Sequence, residues 1–153
     1  MPVPRYIAVI GASQPSESQE RAAEAVGRAL GAAGAIVITG GGRGVMAAAS
    51  RGARATGAVV VGLLPGSDRR QANEWVSVAL PTGLGELRNG LVVRAADAVV
   101  AVGGAYGTLS EIALALTAGT GVVGLDTWPV DGVEVAATPQ AAVERALELA
   151  AGR

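Results

Sequence analysis

Whole classes of reactive side chain are missing from this sequence, so few of its residues could do chemistry. The 153 residues include no His and no Cys, and all 12 basic residues are Arg. A Ser-His-Asp triad, a cysteine nucleophile, a thiolate metal site and a pyridoxal-phosphate Schiff base are therefore excluded. So is the lysine of a Walker A loop. Any catalysis must rest on carboxylates, arginine, hydroxyls and backbone N–H groups. Two stretches concentrate such groups: Gly103-Gly104-Ala105-Tyr106-Gly107-Thr108-Leu109-Ser110-Glu111, and Arg88-Asn89. Arg88 could grip a phosphate in bidentate fashion, and Asn89 could hold a ribose or a base edge. Thr108 and the N–H groups of Gly104 and Gly107 are the best candidate phosphate contacts. Both charged residues also have a purely structural reading. Thr108-x-x-Glu111 fits a helix capping box. Arg88 could be a solvated helix residue paired with Glu86 or Asp97, and Arg94 a structural ion-pair partner. The acidic residues show no metal-ligand spacing, and no metal site is expected.

The elements that must position these groups follow from hydrophobic pattern. Continuous apolar runs at Tyr6–Ile10, Ala35–Thr39, Val59–Leu64, Trp75–Ala79, Ala98–Val102 and Val122–Leu125 read as strands. Between them lie helical stretches. Ser16-x-x-Gln19 is a capping box opening a helix that Gly34 ends. Val45–Thr56, Leu84–Ala95 and Thr108–Ala118 are helical, and Thr138-Pro139 opens a last helix to about Ala150. Ser67–Asn73 reads as a polar loop and Asp126–Val135 as irregular. Strands alternating with helices imply an α/β fold, a Rossmann-like doubly wound parallel sheet, formed as a single domain over residues 1–153.

In such a fold the glycine clusters share one edge. Gly11-Ala12-Ser13, Gly40 to Gly44 and Gly103 to Gly107 all follow strands, and two of them run into helices. Helix N-termini and closely approaching glycine backbone make phosphate sites. The expected ligand-binding set is thus Gly11, Ser13, Gly41, Gly42, Arg43, Gly44, Asn89, Gly103, Gly104, Gly107 and Thr108. Gly42-x-Gly44-x-x-Ala47 formally matches a dinucleotide fingerprint. It follows the second strand, however, and no acidic residue ends the third strand to hold a ribose. Arg69 and Arg70, in the polar loop, read as solvated surface.

Net charge is −1 and the arginines are scattered, so no nucleic-acid partner is expected. No apolar run approaches the ~18–20 residues of a membrane span, and the N-terminus has no signal-peptide pattern. No membrane association and a cytoplasmic location are the expectations. The small apolar helix around Met46-Ala47-Ala48-Ala49 allows close helix packing and suggests a homo-oligomer.

Taken together, ITGGGRGVMAAASRGA, GLLPG, ELRNGLVVRAADAVVAVGG and GGAYGTLSE resemble one superfamily. It contains the cytokinin-activating phosphoribohydrolases of the Lonely Guy type and the shorter molybdenum cofactor carrier proteins. Its members have often been labelled "possible lysine decarboxylase", an activity that a lysine-free chain cannot have in its pyridoxal-phosphate form. Gly40-Gly41-Gly42-Arg43-Gly44-Val45-Met46-Ala47 is similar to the signature GGGxxGLMG but is one residue shorter. Gly103 to Glu111 is similar to PGGxGTxxE, with Val102 in place of the proline and one extra residue between the glycines. The resemblance implies Arg88 and Glu111 as the catalytic pair of a phosphoribohydrolase. There Glu111 would face the ribose and stabilise an oxocarbenium-like state. Arg88-Asn89 stands where Arg-Lys would be. These departures and the short chain point to the carrier side. The function expected is binding of a phosphate-bearing small molecule, a nucleotide or the molybdenum cofactor as cargo, with no cofactor required. The alternative is a nucleoside 5′-monophosphate phosphoribohydrolase releasing free base and ribose 5-phosphate. The resemblance also implies a dimer or a larger assembly such as a tetramer.

Overall fold

A computed structural model describes residues 3–153. The chain alternates strand and helix: β1 (Tyr6–Gly11), α1 (Glu17–Ala32), β2 (Ile36–Thr39), α2 (Val45–Ala55), β3 (Val60–Leu64), β4 (Val78–Pro81), α3 (Arg88–Arg94), β5 (Ala98–Val102), α4 (Tyr106–Thr117), β6 (Gly121–Leu125), β7 (Val133–Val135) and α5 (Pro139–Ala151). Single 3₁₀ turns lie at Arg69–Gln71 and Gly85–Leu87. The strands form one seven-stranded sheet in the order β4-β3-β2-β1-β5-β6-β7, and every pairing is parallel. This is the Rossmann-like doubly wound α/β architecture expected from the sequence.

The continuous apolar runs have a direct cause. Successive strand side chains point to opposite faces, and both faces are covered. Ile7 and Val9 of β1, with Ala98, Val100 and Val102 of β5, join the core under α1, α2 and α5. Ala8 and Ile10, with Val99 and Ala101, join the core that includes Val92, Val93, Ile112 and Ala115 of α3 and α4. A polar residue at any of these positions would be buried without a partner.

The helix starts are set locally. Ser16 Oγ accepts from Gln19 N at 3.2 Å while Gln19 Oε1 accepts from Ser16 N at 3.0 Å, so the capping box forms as read. Thr138 caps α5 through Ala141 N at 3.1 Å, with Pro139 in the first turn.

Four readings are corrected. The fourth strand is Val78–Pro81 rather than Trp75–Ala79. Ser77 sets its start: its N–H donates to Val60 O at 2.8 Å, and its hydroxyl accepts from Val60 N at 2.9 Å. Part of the segment read as irregular is β7, an edge strand paired in register to Val122–Gly124. The helix read from Leu84 begins with a 3₁₀ turn and becomes α-helical at Arg88. Finally, the small face of α2 is used within the chain. Ala48, Ala49 and Ala53 are buried, and a Cβ at Gly27 would overlap Ala49 O while one at Gly52 would overlap Glu24 O. The small residues let α1 and α2 touch through their backbones, so they give no argument for an oligomer.

Candidate functional site: the carboxyl-edge crevice

The strand order reverses at β1. From its carboxyl end the chain departs to α1 on one face, whereas from the neighbouring β5 it departs to α4 on the other. Loops diverging in this way open a crevice at the switch point. Here the crevice holds about 180 Å³, and its walls come from the end of β1 and its loop (Gly11, Ala12, Ser13), from Gly40 and Met46, from Arg88 and Asn89, and from Ala105, Gly107, Thr108 and Glu111. Seven of the residues read from the sequence therefore converge: Gly11, Ser13, Arg88, Asn89, Gly107, Thr108 and Glu111.

The other six do not line the crevice but flank its lining residues along the chain. Gly44, at φ 68°, is the N-terminal boundary residue of α2, and a Cβ there would overlap Ala12 O. Val45 N donates to Ala12 O at 2.9 Å, which locks the start of α2 onto the loop after β1. Asn73 holds the rest of this segment: its N–H donates to Gly41 O at 2.9 Å and its Nδ2 to Gly42 O at 2.8 Å. Arg43 is exposed. Gly103 and Gly104 make the left-handed turn before α4, and a Cβ at Gly104 would overlap the Thr108 side chain. Gly40, Met46, Ala12 and Ala105 were not singled out from the sequence. Their signal was adjacency: each neighbours, or lies within, a glycine segment that was.

The Thr108–Glu111 capping box does not form. The left-handed glycines turn the chain early, Ala105 is extended, and α4 begins at Tyr106. Thr108 thus sits inside the first turn and is buried. No side chain caps this helix. Ala105, Gly107 and Thr108 at this helix start line the crevice, which brings unpaired N–H groups and the positive end of the dipole to it.

Arg88 is anchored rather than solvated. Its Nη1 donates to Gly40 O at 2.6 Å and Leu63 O at 2.7 Å, and its Nε to Asn89 Oδ1 at 3.2 Å. Neither Glu86 nor Asp97 pairs with it; Asp97 instead accepts from Tyr6 N at 2.9 Å. With Nη1 and Nε engaged, Nη2 is the nitrogen left to meet a ligand, so the bidentate clamp read from the sequence is reduced to one arm. Asn89 passes the connection on, its Nδ2 donating to Ser110 Oγ at 3.3 Å. Arg94 is exposed and forms no ion pair among the described residues. Arg70 is held on the surface by Asp68 at 2.8 Å.

Glu111 lies one turn into α4. Among the described residues nothing donates a hydrogen bond to its carboxylate. Burial pushes the carboxyl up from 4.5 to about 7, and the Arg88 guanidinium draws it back only in part. Burial also holds Arg88 below its ordinary value, against the pull of Glu111, but an arginine remains charged. The crevice therefore pairs one fixed cation with a carboxyl that is neutral below about pH 7. Such a site suits an anion and can offer it a carboxylic O–H. Among the described residues no three of His, Cys, Asp and Glu converge as metal ligands.

Fold and crevice together define a Rossmann-like α/β domain with an anion-suited site at its switch point. The chain belongs to the SLOG cluster4 family, whose model matches residues 4–150. A protein of Archaeoglobus fulgidus is 40% identical over 138 residues, 90% of this chain and 91% of its own. Among solved structures, the molybdenum cofactor binding protein of the phototrophic bacterium Rippkaea orientalis is 30% identical, with a TM-score of 0.91 over 96% of this chain and 98% of that one. The Moco carrier protein of Chlamydomonas reinhardtii is 33% identical, with a TM-score of 0.90 over 99% and 100%.

Proposed function

We propose that this chain binds the molybdenum cofactor as cargo, holding its phosphate end in the carboxyl-edge crevice. The observation that carries the reading is that Arg88 and the uncapped N-terminus of α4 line the same crevice at the switch point. A phosphate there would accept from first-turn amides, from the Thr108 hydroxyl and from one arginine arm. The full-length likeness to cofactor-binding and carrier proteins supports the same ligand. With no cysteine in the chain, the metal would be held through its oxyanion by amides and arginine rather than by a protein thiolate. A cytoplasmic location fits this role. Assembly as a homo-oligomer is part of the proposal, and it draws support from the exposed Val78 and Leu80 of the edge strand β4.

The test is to incubate the purified chain with cofactor released from a molybdoenzyme, desalt, and measure molybdenum and pterin fluorescence in the protein fraction. Near-stoichiometric co-elution, lost in Arg88→Ala, is expected. Absence of co-elution with a folded wild-type chain overturns the reading.

One observation favours the second reading, phosphoribohydrolase activity. Glu111 is a partly buried carboxyl that accepts no hydrogen bond among the described residues, and it lines the crevice beside the space where a ribose would follow a bound phosphate. Chromatography for free base, with a panel of nucleoside 5′-monophosphates, separates the two. Release lost in Glu111→Gln would make the chain a hydrolase.

A further inference from the structure

The crevice is too small for a whole cofactor. Its 180 Å³ falls below the roughly 300–1,000 Å³ typical of sites for complete small ligands. A second space of about 490 Å³ opens between α3 and α4 and shares Asn89 and Gly107 with the crevice. Its walls include Leu87, Leu114, Tyr106 and Glu86, the last in the turn before α3. Leu87 is 73% exposed and Tyr106 81%.

Two features make this groove more than an apolar surface. The chain has only two Trp, two Tyr and no Phe, yet one of those four, Tyr106, lines the groove and is stacked on a second. Tyr106 lies on Trp128 with ring centroids 6.0 Å apart, and Trp128 Nε1 is fixed to Ala105 O at 3.0 Å. The floor is a glycine, Gly90, where an added Cβ would meet nothing closer than Leu114 Cδ1 at 3.9 Å. The second feature is polarity: a cation, Arg88, in the adjoining crevice, apolar and aromatic walls in the groove, and a carboxylate on the groove, Glu86, that forms no ion pair among the described residues.

We infer that the groove between α3 and α4 is the heterocycle compartment of the same site, built for a 2-amino-4-oxopyrimidine ring such as a pterin or guanine. The inference rests on the reading of the crevice as the phosphate end of a ligand. A planar ring stacks on Tyr106. The adjacent ring N–H and exocyclic amino group of this ring system are parallel donors, and the Glu86 carboxylate accepts both. An adenine presents an acceptor at the corresponding ring nitrogen and leaves half of that pairing unmade.

Titration calorimetry with neopterin monophosphate, GMP, AMP and glycerol phosphate tests this. The wild-type chain is expected to bind the pterin phosphate and GMP at least tenfold more tightly than glycerol phosphate, with AMP at least fivefold weaker than GMP. Glu86→Gln and Tyr106→Ala, both at exposed positions, should each cut the heterocycle advantage severalfold. Gly90→Leu, which fills the groove from a helix position with room for it, should erase the advantage. A gain for GMP and not for the pterin keeps the groove and replaces the cargo. Equal binding of all four phosphates, unaltered by the three variants, overturns the groove and leaves the crevice reading standing. No binding of any phosphate overturns both. Light scattering on Gly90→Leu completes the test: dissociation of an assembly would mean that a second copy of the chain, not a heterocycle, covers the groove.

Discussion

Replacing Glu111 by glutamine should remove most of the pH dependence of folding between pH 5 and 8. Below pH 4.5 the carboxyl is protonated in the folded and unfolded chain alike and contributes nothing. Between 4.5 and about 7 the unfolded chain ionises first, so stability falls as pH rises, and above 7 the loss is complete. A rise from 4.5 to about 7, at about 1.36 kcal/mol per unit, amounts to about 3 kcal/mol, of which some 2–3 kcal/mol falls between pH 5 and 8. That is a sizeable share of the 5–15 kcal/mol stability of an ordinary domain. The chain offers a clean background, because without His or Cys no other side chain has an ordinary pKa in this window. The assay is urea unfolding followed by circular dichroism at pH 5, 6, 7 and 8. Wild type should lose stability toward pH 8, Glu111→Gln should stay nearly level, and the variant should be the more stable protein at pH 8. Parallel profiles for the two proteins would refute the burial argument and place the carboxylate in contact with solvent.

Three further outcomes follow from the same geometry. Molybdate, a dianion on both sides of pH 7, should bind more weakly as pH rises through 7, because ionised Glu111 offsets the charge of Arg88; calorimetry on Glu111→Gln should show this slope lost. Arg88→Ala should cost about 2–4 kcal/mol in urea unfolding, since it strips Gly40 O and Leu63 O of a charged donor; Arg88→Lys should recover only part of that, because one ammonium lacks the planar fork. Gly52→Val should lower stability by several kcal/mol by forcing α1 and α2 apart, and a thermal melt within 2 °C of wild type would contradict the backbone contact.

Most of the fold could be read in the chain because its signals are local or repetitive. Runs such as Ala98–Val102 are short, rich in β-branched Val and apolar at every position, as a strand buried on both faces must be. Ser16 and Thr138 announce their helices through bonds that close within three residues. The edges of the sheet were less legible. The apolar run around β4 showed that a strand was there but not where it starts, and the three-residue β7 carries little apolar pattern; their registers come from β3 and β6, with which they pair only after folding. Thr108 misled for a related reason. Its spacing to Glu111 is that of a cap, but the start of α4 is decided by two left-handed glycines and an extended Ala105 upstream.

The sequence by itself determined which chemistry was available: arginine, carboxylate, hydroxyl and backbone amide, in segments that must lie on one edge of a parallel sheet. It also determined that Arg88 and Glu111 were the charged residues to watch. Tertiary structure alone decided their states. Arg88 commits Nη1 to the carbonyls of Gly40 and Leu63, 48 and 25 residues away, and Glu111 loses part of its water to walls supplied by strands and helices far along the chain. Desolvation and long-range hydrogen bonding are sums over neighbours that only packing brings together, so no spacing within the sequence could have encoded them.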